Sequence, residues 1–464
     1  MKTIDKIYDN ALCKRTYYCS ILILLFLVSC EDFIEVEAPK NELVGAVVFT
    51  DTETTEAALT GIYSQMTEGF GGFANYRTTL LTGLYSDELD DYSGSTDVVT
   101  FQENSLNPNN SHVLNLWREP YKYIYQTNAL IEGLENADGI DAVTKEQFIG
   151  EALFIRAFCH FYLANFFGDI PYILSTDYIK NASAFRQSKD EIYNQIIEDL
   201  KEAAALLPDF YVSDGRLRPN TYAAQALLAR VYLYMQDWEN AELLATSVIG
   251  ASEHFELETN LNQVFLTDSR EAIWQLQPVI TGLNTIEGFA FILFGAPRNS
   301  ALNSSVLNAF SDSDLRKENW VGTVTSGSDT YFFPYKYQVF FGSDLTEYYM
   351  VLRLAEQYLV RAEARVHLND LDGALVDVNK IRNRAGLGVA SGASNELVLD
   401  LIYKERRREL FAEWGHRWFD LKRTGKADAV LSVIKPGWQP TDVLFPIPQS
   451  ELQNNPNMTQ NPGY

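Results

Sequence analysis

Two stretches decide the fold: YAAQALLARVYLYMQDWENAELLATSV, Tyr222 to Val248, and AEQYLVRAEARVHLNDLDGALVDVNKI, Ala355 to Ile381. They align at an offset of 133 residues. Ala229 falls on Ala362 and Ala241 on Ala374, so in each stretch the two alanines stand twelve apart; Leu233 falls on Val366 and Trp238 on Leu371. Small residues at the eighth and twentieth places of a helix–turn–helix unit are the tetratricopeptide signature, because they let two antiparallel helices approach closely. Asp237-Trp238-Glu239-Asn240 and Asp370-Leu371-Asp372-Gly373 supply the turns, and Ala157 is a further small residue of the same kind.

Helical spacing continues on the N-terminal side. Asp51 to Met66 places Ala57, Leu59, Ile62 and Tyr63 on one side. Asn115 to Glu135 repeats Trp117, Tyr121, Ile124, Tyr125, Asn128 and Ile131 at intervals that fit a helix. Lys145 to Phe167 is stopped by Gly168-Asp169-Ile170-Pro171, and Lys189 to Leu207 by Pro208. Residues 251–349 differ, with Gly282, Gly288, Gly295, Pro297, Gly322, Gly327 and Pro334 breaking the pattern. Short apolar runs there, Ala272 to Leu276 and Ala290 to Phe294, read as strands or buried loops. The expected fold is mostly α: tetratricopeptide-type helix pairs over about 51–250 and 350–425, with a long loop-rich insertion over about 251–349 and few short strands. Loops held by a rigid scaffold are where binding usually sits.

The chain has 464 residues, 46% of them hydrophobic, so it is globular rather than disordered. Its formal charge is −25. Such a field repels phosphate backbones and anionic headgroups, which argues against nucleic acid as a partner. Aromatic residues are abundant, with 26 Tyr and 27 Phe.

The first thirty residues have a purpose of their own. Lys2, Lys6, Lys14 and Arg15 precede an unbroken apolar run from Ile21 to Val28, too short to span a bilayer and suited to a signal peptide. The run ends in Leu27-Val28-Ser29-Cys30, the pattern of a bacterial lipoprotein cleavage site. Cys30 is the expected lipidation residue, because its thiol takes the diacylglycerol and several acyl chains anchor a domain stably. Loss of residues 1–29 leaves 33 basic and 60 acidic residues, a formal charge of −27. Of the four cysteines only Cys30 and Cys159 survive, and Cys159 reads as a buried thiol.

Several segments together resemble the SusD/RagB family. They are Cys30-Glu31-Asp32-Phe33; Ala157-Phe158-Cys159-His160-Phe161-Tyr162 running into Phe167-Gly168-Asp169-Ile170-Pro171; and Arg353-Leu354-Ala355-Glu356 through Arg361-Ala362-Glu363-Ala364 to Asn379-Lys380-Ile381-Arg382-Asn383-Arg384-Ala385-Gly386. Glu405-Arg406-Arg407-Arg408-Glu409-Leu410 through Gly415-His416-Arg417-Trp418-Phe419-Asp420-Leu421-Lys422-Arg423 follows, then Pro446-Ile447-Pro448, Asn455-Pro456 and the terminal Gln460-Asn461-Pro462-Gly463-Tyr464. The resemblance covers essentially the whole mature chain. It implies an outer-membrane lipoprotein facing the cell exterior, with four tetratricopeptide-like units. It further implies a lid-like role over a SusC-like TonB-dependent transporter, and binding of glycan or another nutrient without catalysis or cofactor. The acidic residues after Cys30 resemble surface-export signals of such lipoproteins.

The remaining motifs carry little chemistry. Glu405 to Arg423 reads as an amphipathic helix locked by Arg–carboxylate pairs, among them Glu405–Arg408 and Glu413–Arg417. Glu413-Trp414-Gly415-His416 is formally Glu-x-x-His, but no second such motif exists to complete a di-metal site. No Gly-x-Ser-x-Gly elbow, P-loop or His-Glu-x-x-His is present. The acidic run Asp87 to Asp97 admits a Ca²⁺ reading, although its spacing does not match an EF-hand loop. In the family, the loop after a comparable Asp-Glu pair often contributes ligand contacts.

Sugar recognition needs aromatic faces for the C–H faces of the ring and polar side chains for the hydroxyls. Tyr92, Arg298, Asn299, Trp320 and Tyr331 lie in Gly/Pro-punctuated segments and are the expected ligand contacts, whereas Trp117, Trp274, Trp414 and Trp418 are assigned to the core. Two other classes remain open at this point: a secreted glycan hydrolase on a helical scaffold, and a tetratricopeptide adaptor that binds protein.

Overall fold

The computed structural model describes residues 48–464 apart from 71 and 136. The leader, Cys30 and the acidic tether lie outside the described residues. The scaffold is a run of helices: α1 (Thr52–Thr67), α2 (Ser111–Glu135), α3 (Ala142–Phe167), α4 (Lys189–Leu206), α5 (Thr221–Met235), α6 (Trp238–Gly250), α7 (Leu354–His367), α8 (Leu371–Arg384) and α9 (Asn395–Glu409). Each packs on the next, and the stack passes directly from α6 to α7 across the insertion.

Local chemistry fixes the ends of these helices. Asp51, Asp141, Ser188, Asn220, Asp237, Asp370 and Ser394 each accept a backbone N–H of the first helical turn that would otherwise lack a partner. The 133-residue offset extends to backbone conformation. Gln236 and Asn369, equivalent in the repeat, both adopt left-handed φ (61° and 67°) immediately before the capping aspartates. Ala157, Ala229, Ala241, Ala362 and Ala374 are all fully buried, as close helix approach requires. Helix α3 is buried on every side from Gly150 to Phe167, so it forms the axis of the core rather than a face of it. Gly168, at φ 75°, ends it.

The strands are β1 (Leu89–Asp91), β2 (Ala272–Leu276), β3 (Ser300–Leu302), β4 (Val321–Ser326), β5 (Asp329–Pro334) and β6 (Tyr349–Arg353). They form three antiparallel pairs: β1 with β3, β2 with β6, and the β4–β5 hairpin. The second pair joins the two ends of the insertion, matching Ala272 with Arg353 and Leu276 with Tyr349. The run Ala272 to Leu276 is thus a strand, fully buried. Ala290 to Phe294 is not. Thr285 accepts the Gly288 N–H and starts a short helix, Ile286–Phe291, whose glycine lies close to the Val339 carbonyl.

A second correction concerns Glu405 to Arg423. It is not one helix, because Ala412, Trp414 and Gly415 take left-handed φ and separate α9 from α10 (His416–Arg423). At Gly415 a Cβ would come within 2.9 Å of the Thr82 hydroxyl. The charged groups consequently pair across elements. Glu405 does reach Arg408 at 2.8 Å. Glu413, however, binds Arg353 and Lys336, and Arg417 binds Asp87. Arg353 sits at the hub, on Glu271, Glu409 and Glu413 at 2.7–2.9 Å, with every partner buried. Burial would raise the Glu409 carboxyl, but Arg384, Arg353 and Arg316 override it and hold that group well below the usual carboxylate range. The cluster fastens the insertion, through β6 and Asp314-Leu315-Arg316, to the last scaffold helix.

Candidate functional site

The β1–β3 ribbon brings together residues more than 200 positions apart. Asp91 pairs with Ser300, and just beyond it the Tyr92 N–H donates to the Asn299 carbonyl at 2.8 Å. Strand β3 also lies against β5 of the hairpin. This places the Tyr92 ring edge-on to the Tyr331 ring, centroids 5.9 Å apart and planes at 89°. Such a T-shaped pair fixes both rings while leaving ring surface open. Tyr92 is 44% exposed and Tyr331 half-buried.

Four of the five expected contacts, Tyr92, Arg298, Asn299 and Tyr331, thus belong to one surface built from three segments. Arg298 and Asn299 are exposed, and neither side chain has a hydrogen-bond or ion-pair partner among the described residues. Partial burial, then Asp90, Tyr331 and Asp329, push the Tyr92 hydroxyl above its ordinary value, so it stays a protonated donor at neutral pH. Asp90 and Asp329 are neighbours that sequence reasoning did not single out. Asp90 lay inside the acidic run already noted. Asp329 carried no signal beyond its place after the Gly327 turn. Asn303 steadies Asp90 through a 2.8 Å bond to its carboxylate.

Trp320 is the exception and is corrected here. It ends the short helix Leu315–Trp320, is fully buried, and donates its indole N–H to the Leu261 carbonyl at 3.0 Å. Lys336, Arg353 and Arg384 pack over its ring. It is a core residue, as Trp117, Trp274, Trp414 and Trp418 are.

The Ca²⁺ reading of Asp87 to Asp97 fails as well. Asp87 is taken by Arg407 and Arg417, the Asp91 carboxylate by the Ser93 N–H, and Asp97 by Ser111. Glu88 is buried against Asp87, which with burial pushes its carboxyl up to about 7. No group of three or more His, Cys, Asp or Glu side chains suited to a metal occurs among the described residues. His416 is buried and held neutral by burial and by Arg230, Arg406, Arg353 and Lys336. No described helix is long and apolar enough to cross a membrane.

Comparison with known proteins agrees with this architecture. Residues 32–233 match the SusD-like_3 family, described as starch-binding associating with outer membrane, and residues 321–464 match the SusD family. The chain is 29% identical to SusD-like protein P2 of Formosa agariphila over 511 residues, covering 96% of this chain and 98% of the relative. It is similar to a SusD superfamily protein of Bacteroides vulgatus at TM-score 0.81 and 25% identity, covering 89% of this chain and 99% of that one. A laminarin-binding SusD-like protein matches at TM-score 0.77 and 26% identity, over 89% of this chain and 100% of the other. Helix stack, insertion and C-terminal segment all fall within these matches, and the chain belongs to the SusD/RagB family.

Proposed function

We propose that this protein is a non-catalytic glycan-binding lipoprotein of the outer membrane, facing outward and passing its ligand to a SusC-like TonB-dependent transporter. The observation that carries the reading is the Tyr92–Tyr331 pair, flanked by Arg298 and Asn299, whose side chains have no partner among the described residues. Two rings at right angles offer one face and one edge to a saccharide, and the guanidinium and carboxamide reach its hydroxyls. The laminarin-binding relative supports glycan as the ligand class. The outer-membrane description of the matched family supports the location, and the lipoprotein-type start supports the anchor.

The test is binding of the detergent-purified full chain to an immobilised polysaccharide panel, with breakdown followed in parallel. Wild type retains at least one glycan intact. Tyr92→Ala and Tyr331→Ala each weaken that binding by about 0.5–1.5 kcal/mol, roughly two- to twelvefold. Release of smaller sugars would replace this reading with a hydrolase. Unchanged binding in both variants would move the site elsewhere.

A further inference from the structure

A concavity lies at the other end of the β1–β3 ribbon. Its volume is about 430 Å³, and it is lined by Ser305, Asn308, Ala309, Lys404, Arg407 and Arg408. Lys404 stands one turn before Arg407 and Arg408 on α9, so its side chain neighbours both. The pocket has no acidic lining residue, in a chain of net charge −25.

The cations are only partly neutralised. Arg407 gives one Nη to Asp87 at 2.6 Å, yet its buried Nε has no hydrogen-bond partner. Asp87 is also shared with Arg417, two guanidiniums to one carboxylate. Arg408 gives Nη1 to Glu405 and Nε to the Ala309 carbonyl. Glu405 belongs to the buried cluster described above, in which Arg316, Lys336, Arg353, Arg382, Arg384 and Arg408 face Glu271, Asp314, Glu405, Glu409 and Glu413. Six cations meet five carboxylates, so one positive charge is left over. Lys404 pairs with Asp400, but both are more than half exposed, and such a surface pair holds the ammonium weakly. The Asn308 carboxamide is exposed with no side-chain partner among the described residues.

We infer that this pocket binds an oxyanion carried by the glycan, a uronate carboxylate or a sulfate ester, and so assigns the ligand to the acidic polysaccharides. The inference rests on the glycan-binding reading above. Guanidinium pairs oxyanions with directed hydrogen bonds, and Ser305 and Asn308 add neutral polar contacts. The ribbon sets the span. Tyr92 meets Asn299 at one end, and the Asn303 N–H meets the Glu88 carbonyl at the other. The four residue steps from Asn299 to Asn303 cover about 13 Å, the scale of a short oligosaccharide.

The experiment uses the full chain on immobilised alginate (carboxylate), ι-carrageenan (sulfate ester) and laminarin (neutral). Alginate or ι-carrageenan is retained, which of the two identifying the oxyanion. Retention falls as NaCl rises from 50 to 500 mM, because screening acts on exposed charges. Lys404→Gln weakens acidic-glycan binding roughly two- to fivefold and leaves the melting temperature unchanged. General attraction does not mimic this, since the whole molecule repels polyanions. Retention of laminarin alone, indifferent to salt and to Lys404→Gln, overturns the oxyanion pocket and leaves the glycan-binding reading standing. Retention of none of the three by wild type overturns the pocket, and silence across the wider panel overturns the glycan-binding reading with it.

Discussion

Replacing Glu409 by Gln tests the charge cluster that fastens the insertion to the scaffold. Glu409 Oε1 accepts from Arg353 at 2.7 Å and from Arg384, and Oε2 accepts from Arg316 at 3.1 Å, with all four side chains buried. The amide keeps the shape but removes the charge, and turns N–H donors toward guanidiniums that also donate. Breaking a buried ion pair by neutralising one partner costs about 3–5 kcal/mol. With about 2.1 cal/mol/K of unfolding entropy per residue, some 415 residues give about 0.9 kcal/mol/K, so the midpoint falls by about 3–6 °C. The sign of the pH dependence follows from the depressed carboxyl. Its stabilisation is complete above the unfolded value near 4.3 and is lost as pH falls through the lower folded value. Circular-dichroism melts at pH 7 should therefore separate the two proteins fully, and the gap should narrow as pH drops below about 4. A Glu409→Gln midpoint within 1 °C of wild type at pH 7 would refute the reasoning.

Three other outcomes are expected. Trp320→Ala lowers stability by about 3–5 kcal/mol through the cavity it leaves, and in the folded fraction glycan affinity matches wild type; calorimetric melting and binding measure the two effects separately. Ala362→Trp overfills the α7–α8 contact and destabilises by about 1–3 kcal/mol or more, read as a shift in denaturant midpoint; an unchanged midpoint would contradict the close helix approach. Cys30→Ala abolishes incorporation of labelled fatty acid and releases the protein from outer-membrane fractions, whereas a variant that still pellets with label would disprove the anchor.

The helices were legible because two independent signals coincide on them: apolar spacing, and buried alanines at fixed places. Gln236 and Asn369 show how far that repetition reaches, down to the same left-handed turn. The paired strands were harder to read. Nothing near Tyr92 announces Asn299 or Tyr331, since antiparallel pairing between distant segments leaves no local pattern. Those residues were nonetheless singled out as candidates, because aromatic and amide side chains among turn formers have few structural duties. Trp320 met the same description and is core, since a six-residue helix too short to show a period turns its indole inward. The pairing of Glu413 and Arg417 failed for a related reason: helical spacing in the sequence does not reveal three left-handed residues that end the helix.

The β2–β6 ribbon has a bearing on how such a protein diversifies. Its paired strands hold the entry and exit of the insertion about 5 Å apart, directly before α7 resumes the helical stack. Exposed turns between Leu276 and Tyr349 can lengthen or shorten while the stem stays closed and Arg316, Trp320 and Lys336 keep their buried places, and closing a longer loop costs only about 0.6 kcal/mol per doubling. The exposed tip of the hairpin that carries Tyr331 can therefore vary on a fixed stem, and a new specificity can be grafted there while the buried cluster stays in place.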